Sequence, residues 1–179
     1  MQIALTGTPG TGKTTVAGLL PYKVIDINNL VKGGMNLGID PKRGCLDADM
    51  DALERRLKEL DTDEISILEG HFSHHFADWS IVLRLAPSDL RPRLEARGYS
   101  PEKIRENLEA EALDVILVEA VEFCRRVDEI DTTGKTAPQV AELVARIIKD
   151  ELELPPGQVD WLIRFLWLEG LTVLVQFKY

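Results

Sequence analysis

Gly7, Gly12, Lys13 and Thr14 stand in the order G-x-x-x-x-G-K-T within residues 7–15, GTPGTGKTT. Residues of these types at this spacing suit one task, the holding of phosphate. Glycines let consecutive backbone N–H groups turn toward an anion that side chains would obstruct. The lysine brings a point charge to the terminal phosphates, and the hydroxyl after it can ligate Mg²⁺. A short apolar run (2–6) precedes the loop and a helical stretch (13–20) follows it, which is the context this motif requires. Gly10, Thr11, Gly12, Lys13, Thr14 and Thr15 are therefore the expected nucleotide contacts of a P-loop, with ATP and Mg²⁺ as the expected cofactors.

Glu69 ends a second apolar run, 65–68. A carboxylate at such a strand end can hold Mg²⁺ or its waters, and a buried carboxylate needs a partner of that kind. Glu69 thus joins Thr14 as an expected metal ligand. His71 follows and is expected beside the phosphates, whereas His74 and His75 are expected in a loop or at the surface. All three histidines of the chain fall in this stretch, but zinc needs about four ligands and no cysteine is near in sequence. The sequence reading therefore sets zinc aside. Arg97, just before Gly98, is placed to clamp phosphate charge in a transition state. Arg105 either joins this clamp or, the reading the residues alone favour, is a solvated partner of Glu102, Glu106 and Glu109. A second TGKT at 133–136 lacks the preceding spaced glycine; its Lys135 either lines the nucleotide pocket or sits on a solvated turn.

The elements that must position these groups alternate between strand and helix. Strands are predicted at 2–6, 23–26, 65–68, 80–85 and 127–131. A brief helix capped by Asp26 or Asn28 reaches Val31, and another capped by Asp47 or Asp49 reaches about Leu60. A third, capped by Ser88 or Asp89, closes at Gly98, and one long helix runs from Ser100-Pro101-Glu102 to about Arg126. The last regular helix covers 138–150. Residues 32–46 read as a mobile connection, and no hairpin signal is evident. The pattern predicts one α/β domain, a P-loop NTPase with three α-β-α layers around a parallel sheet of about five strands. That domain spans 1–150, followed by an apolar extension, 151–179. In the extension a helix is predicted from Trp161 to about Leu168, then a strand with Val173, Val175 and Phe177 on one face. Arg164, Glu169 and Gly170 interrupt a segment barely the ~20 residues a membrane span needs, so packing on the body or a second subunit is expected.

A hydrophobic fraction of 45% and a charged fraction of 28% describe an ordinary globular chain. The net charge of -9 opposes general attraction to nucleic acid or anionic membrane, and no sequence-specific DNA binding is expected. Cys45 and Cys124 form no spaced pair, which suggests a reducing compartment. No secretory stretch follows Met1, so the expected location is cytoplasmic.

Four stretches carry a family resemblance: LTGTPGTGKTT at 5–15, LEGHFSHHF at 68–76, RGYSPEKIRENLEAE at 97–111 and DTTGKT at 131–136. Together they resemble the archaeal and eukaryotic adenylate kinase isoenzyme 6 group, small atypical adenylate kinases that also act in ribosome small-subunit maturation. The resemblance implies a short nucleoside-monophosphate-binding segment at about 28–51 and a short lid at about 97–107. It implies nucleotide contacts for Arg97 and Lys135. It also gives Glu69-Gly70-His71 the place of an acid-x-histidine motif tied to phosphate transfer or ATP hydrolysis, with Glu where eukaryotic members carry Asp. Val159-Asp160-Trp161 is similar to an archaeal C-terminal motif. Two functions follow from the resemblance. One is a nucleoside monophosphate kinase, with AMP the expected acceptor. The other is an ATPase assembly factor acting on the immature small ribosomal subunit through ribosomal protein uS11, a partner that suits an acidic chain. The guanine-reading N-K-x-D pattern is absent from the sequence.

Overall fold

The computed structural model describes residues 1–40, 46–168 and 170. In chain order its first elements are β1 (Gln2–Thr6), α1 (Lys13–Ala17), β2 (Lys23–Asp26), α2 (Ile27–Lys32), β3 (Asn36–Ile39), β4 (Leu46–Ala48) and α3 (Met50–Leu60). Then follow β5 (Ser66–Glu69), a 3-10 turn (Ser73–Phe76), β6 (Trp79–Arg84), α4 (Pro87–Ala96) and α5 (Pro101–Ala112). The last are α6 (Val115–Phe123), β7 (Arg126–Asp131), α7 (Ala137–Ile148) and α8 (Leu162–Leu168).

Five strands form one parallel sheet in the order β2-β5-β1-β6-β7. Strands of such a sheet are covered on both faces and read as unbroken apolar runs. Accordingly β5 and β6 are buried at every position. Successive residues point to opposite faces, so each strand feeds two cores. Ile3, Leu5, Ile67, Ile81 and Leu83 meet Val16, Val140, Val144 and Ile147 of α1 and α7. On the other face Ile25 and Leu68 meet Leu53 and Leu57 of α3, while Val82 meets Leu117 and Ala120 of α6. The expected three-layer P-loop architecture with five parallel strands is present.

Departures from the sequence reading have physical causes. Residues 32–46 were expected without secondary structure, yet β3 and β4 pair antiparallel, Asn36 opposite Ala48 and Ile39 opposite Leu46. Leu37 and Ile39 are each 70% exposed, so the pairing lacks the alternating buried face that would have announced it. The long helix is two helices, because Asp114 takes a left-handed φ of 56° between α5 and α6. Its carboxylate pairs there with the Arg84 guanidinium. Helix α4 starts at Pro87 after Ala86, with no side-chain cap, instead of at Ser88 or Asp89. Proline at the first helical position fixes φ and lacks an N–H that would need a cap. Asp26 and Asp49 do cap α2 and α3, accepting from Asn29 N and Ala52 N.

Beyond residue 150 the chain returns to the body. Glu129 accepts from the amides of Gly157 and Gln158 at 2.9 Å, and Trp161 and Phe165 pack with Leu90, Leu94, Ile104 and Leu108. No helix among the described residues is long and apolar enough to cross a membrane. Cys45 and the expected strand through Val173, Val175 and Phe177 lie outside the described residues.

Candidate active site

The chain leaves β1 at Thr6, goes out to β2, returns to β5, and crosses to β6 and β7 on the opposite side. In an open α/β sheet, ligands bind outside the carboxyl ends of strands at such a reversal. Gly7 has φ 136°, and a Cβ there would lie 2.3 Å from the Leu83 carbonyl oxygen, so only glycine fits. Thr11 N and Thr11 Oγ1 both donate to Thr8 O, at 3.2 and 2.9 Å, which closes the loop. Gly12, at φ 104°, turns the chain into α1.

Lys13 is buried beneath this loop, its Nζ donating to Gly7 O at 2.7 Å and to Thr8 O at 3.1 Å. Desolvation lowers its pKa to about 8; Glu69 opposes this, Arg97 adds to it, and Glu111 opposes it. Thr14 Oγ1 lies 3.3 Å from Glu69 Oε1. Glu69 is only 3% exposed, and burial raises its pKa against the pull of Lys13. Asp26 raises it further, being the register partner of Glu69 on β2. A hydroxyl and a poorly solvated carboxylate in hydrogen-bond contact are a hard oxygen donor pair, the kind that Mg²⁺ prefers.

The His71 and Phe72 rings meet edge to face, 4.7 Å between centroids. Its pKa falls to about 4 through desolvation first, then the charges of Lys13 and Lys103. His71 is an exposed residue, and its lowered pKa leaves the ring neutral near pH 7. His75 is exposed, as expected, but His74 is only 1% exposed. The 3-10 turn tucks His74 beneath β1, where Nδ1 lies 3.2 Å from Thr6 Oγ1. Burial lowers its pKa to about 4 as well, with His75 and His71 adding to the shift.

Arg97 ends α4, and its charge acts on both Lys13 and Glu69. Arg93, one turn earlier, donates from Nη1 to Gly10 O at 3.2 Å. A cleft of about 170 Å³ lies between Thr11, Gly12, Thr15, Arg93, Thr132 and Lys135. Lys135 thus shares a cleft with the P-loop, while Thr136 caps α7 in a capping box with Gln139. Arg105 pairs with Glu109 at 2.8 Å on the solvated face of α5, the structural role expected for it. The sequence reading omitted Arg93, Lys103 and Glu111. A signal for Arg93 existed: it lies four residues before Arg97, on the same helix face.

The sequence pattern of the family described as AAA domain matches residues 3–114. A Methanosarcina barkeri protein named "Putative adenylate kinase" is 47% identical over 178 residues, covering 90% of this chain and 98% of the relative. One of the same name from Methanothermobacter thermautotrophicus is 47% identical over 172 residues, covering 90% and 99%. The chain belongs to this adenylate kinase-like family. Solved structures show how widely the fold of the adenylate kinase-like chain is shared. Shikimate kinase from Acinetobacter baumannii superposes with a TM-score of 0.57 at 19% identity, covering 83% of this chain and 93% of its own. Thymidylate kinase from Candida albicans gives 0.50 at 15%, covering 83% and 91%.

Proposed function

We propose that this chain is a nucleoside monophosphate kinase of the adenylate kinase type, moving the terminal phosphate of ATP reversibly to AMP or another monophosphate. The observation that carries the proposal is the meeting of Lys13, the Thr14–Glu69 pair and the Arg97 charge at one end of the sheet. The names of its archaeal relatives support the same reading. Phosphoryl transfer asks little covalent chemistry of a protein; positioning and charge stabilisation do most of the work.

In this reading the backbone of Gly10–Thr15 surrounds the phosphates and Lys13 neutralises their charge. Thr14 and Glu69 would hold Mg²⁺, which when bound screens the phosphate oxygens. Arg97 meets the charge that develops on the transferring group. Arg93 steadies the loop at Gly10, and Lys135 contacts the nucleotide from the β7 side. His71, neutral at pH 7, orients the reacting groups by hydrogen bonding. Residues 28–51, with the β3–β4 pair, form the monophosphate flap, and residues 97–107 form the lid that excludes water.

Incubation with Mg²⁺-ATP, with and without AMP, tests the reading. ADP formed only with AMP, and without free phosphate, is the expected outcome; phosphate release indifferent to AMP would sink it. A second reading is an isoenzyme 6-type ATPase that binds uS11 in 16S rRNA and small-subunit maturation. It is favoured by the charge of -9 and by Val118, Val121 and Phe123, exposed on α6. Retention of recombinant uS11 on the immobilised chain, with and without ATP, separates it from the first.

A further inference from the structure

We propose that His74, His75 and Glu119 form a binding site for a divalent transition metal of the Zn²⁺ class, behind the phosphate-binding face. One ligand atom from each of the three lies within 4.8 Å of the others. They come from two elements that pack together, the 3-10 turn and α6. His74 and His75 are consecutive, and their rings face one another with centroids 4.4 Å apart.

Hydrogen-bond accounting at His74 points to a cation. Thr6 Oγ1 has a single proton, and it lies 3.1 Å from His71 O, which can only accept. With that proton given to His71 O, the 3.2 Å contact between Thr6 Oγ1 and His74 Nδ1 requires Nδ1 to donate. The neutral ring then carries its lone pair on Nε2. Nε2 is fully buried, has no hydrogen-bond partner, and faces Glu119 Oε2 at 3.3 Å. A nitrogen lone pair and a carboxylate oxygen, both acceptors, thus face each other across a gap that a cation would fill.

The gap has the right size. Zinc binds histidine nitrogen and carboxylate oxygen at about 2.0–2.2 Å in a tetrahedron, whose edge is then about 3.4 Å. The exposed ring of His75 supplies the third ligand, and the half-exposed carboxylate of Glu119 leaves a fourth position open to solvent. A ligating histidine usually donates its other ring N–H to an orienting group, the part played here by Thr6. Mg²⁺ favours oxygen donors, so two imidazoles separate this site from the Thr14–Glu69 pair. The sequence argument against zinc asked for a cysteine nearby; α6 supplies a carboxylate instead, 44 residues after His75 by their numbers. Thr6 also holds His71 O, so an occupied site would pin the 71–75 segment next to the P-loop.

The test is equilibrium dialysis of the EDTA-stripped full chain against Zn²⁺ in excess Mg²⁺, repeated with Co²⁺ to record its visible spectrum. One Zn²⁺ per chain and the intense absorption of tetrahedral Co²⁺ are expected. His75→Ala and Glu119→Gln alter exposed groups that the core does not need, and circular dichroism checks their folding. Each should weaken Zn²⁺ binding at least tenfold and diminish the Co²⁺ bands. No uptake by the wild-type chain at micromolar Zn²⁺ would overturn the proposal, as would undiminished binding by both folded variants.

Discussion

Arg84 and Glu111 form an ion pair at 2.9 Å in which each side chain is only 2% exposed. The guanidinium at the end of β6 also pairs with Glu129 at 2.6 Å and with Asp114. Glu111 in turn accepts from the Leu85 amide at 3.0 Å and from the Thr8 hydroxyl. One buried cation therefore ties β6, β7, the α5–α6 junction and the P-loop together. Removing one member of such a group leaves charge buried without compensation. Arg84→Met is expected to destabilise the fold by about 3–5 kcal/mol, read from urea denaturation midpoints. A midpoint equal to the wild type would show that the network does not carry the fold.

Lys13 yields predictions on binding and on the pH dependence of stability. Lys13→Ala should abolish nucleotide binding and turnover; retained turnover would refute its placement on the phosphates. Burial depresses the lysine from 10.5 to about 8, corresponding to roughly 3 kcal/mol of cost when it is charged. Between pH 8 and 10.5 the unfolded chain binds more protons at this residue than the folded one, so stability rises with pH there. That rise should shrink in the Lys13→Ala chain, as thermal melts across the window would reveal.

Arg97 and Lys135 should separate kinetically. In the proposed role, in which its charge serves the transition state, Arg97→Ala is expected to lower kcat on the order of a hundredfold, with less effect on the KM for ATP. Lys135→Ala should chiefly raise that KM. Steady-state kinetics showing the reverse pattern would exchange their assignments.

His71→Ala is expected to slow transfer while leaving ATP affinity near the wild-type value, as titration calorimetry would check. With its pKa lowered to about 4, His71 stays neutral across pH 5.5–7.5. The kcat profile should therefore lack a limb near the ordinary histidine value. Such a limb, lost in His71→Ala, would show a ring that titrates normally.

What could be read from the chain depended on how local the cause was. The P-loop, Glu69 at a strand end and the Asp26 and Asp49 caps are written in neighbouring residues, and each is found where its pattern put it. The break at Asp114 depends on Arg84, 30 positions earlier, and no helix periodicity contains that pairing. His74 looked like a surface residue because its burial comes from β1 and α6, elements remote in sequence. Arg93 carried a cue in its spacing from Arg97, but only its contact with Gly10 gives it a role.

The seating of Trp161 and Phe165 has a mechanical consequence. Helix α8 contacts both α4 and α5, the helices on either side of Arg97. Any rotation of α5 relative to α4 must either carry these aromatic rings off Leu94 of α4 or strip them from Leu108 of α5. In the lid closure proposed above, the C-terminal segment would act as a spring, anchored at its near end where Glu129 accepts from the Gly157 and Gln158 amides.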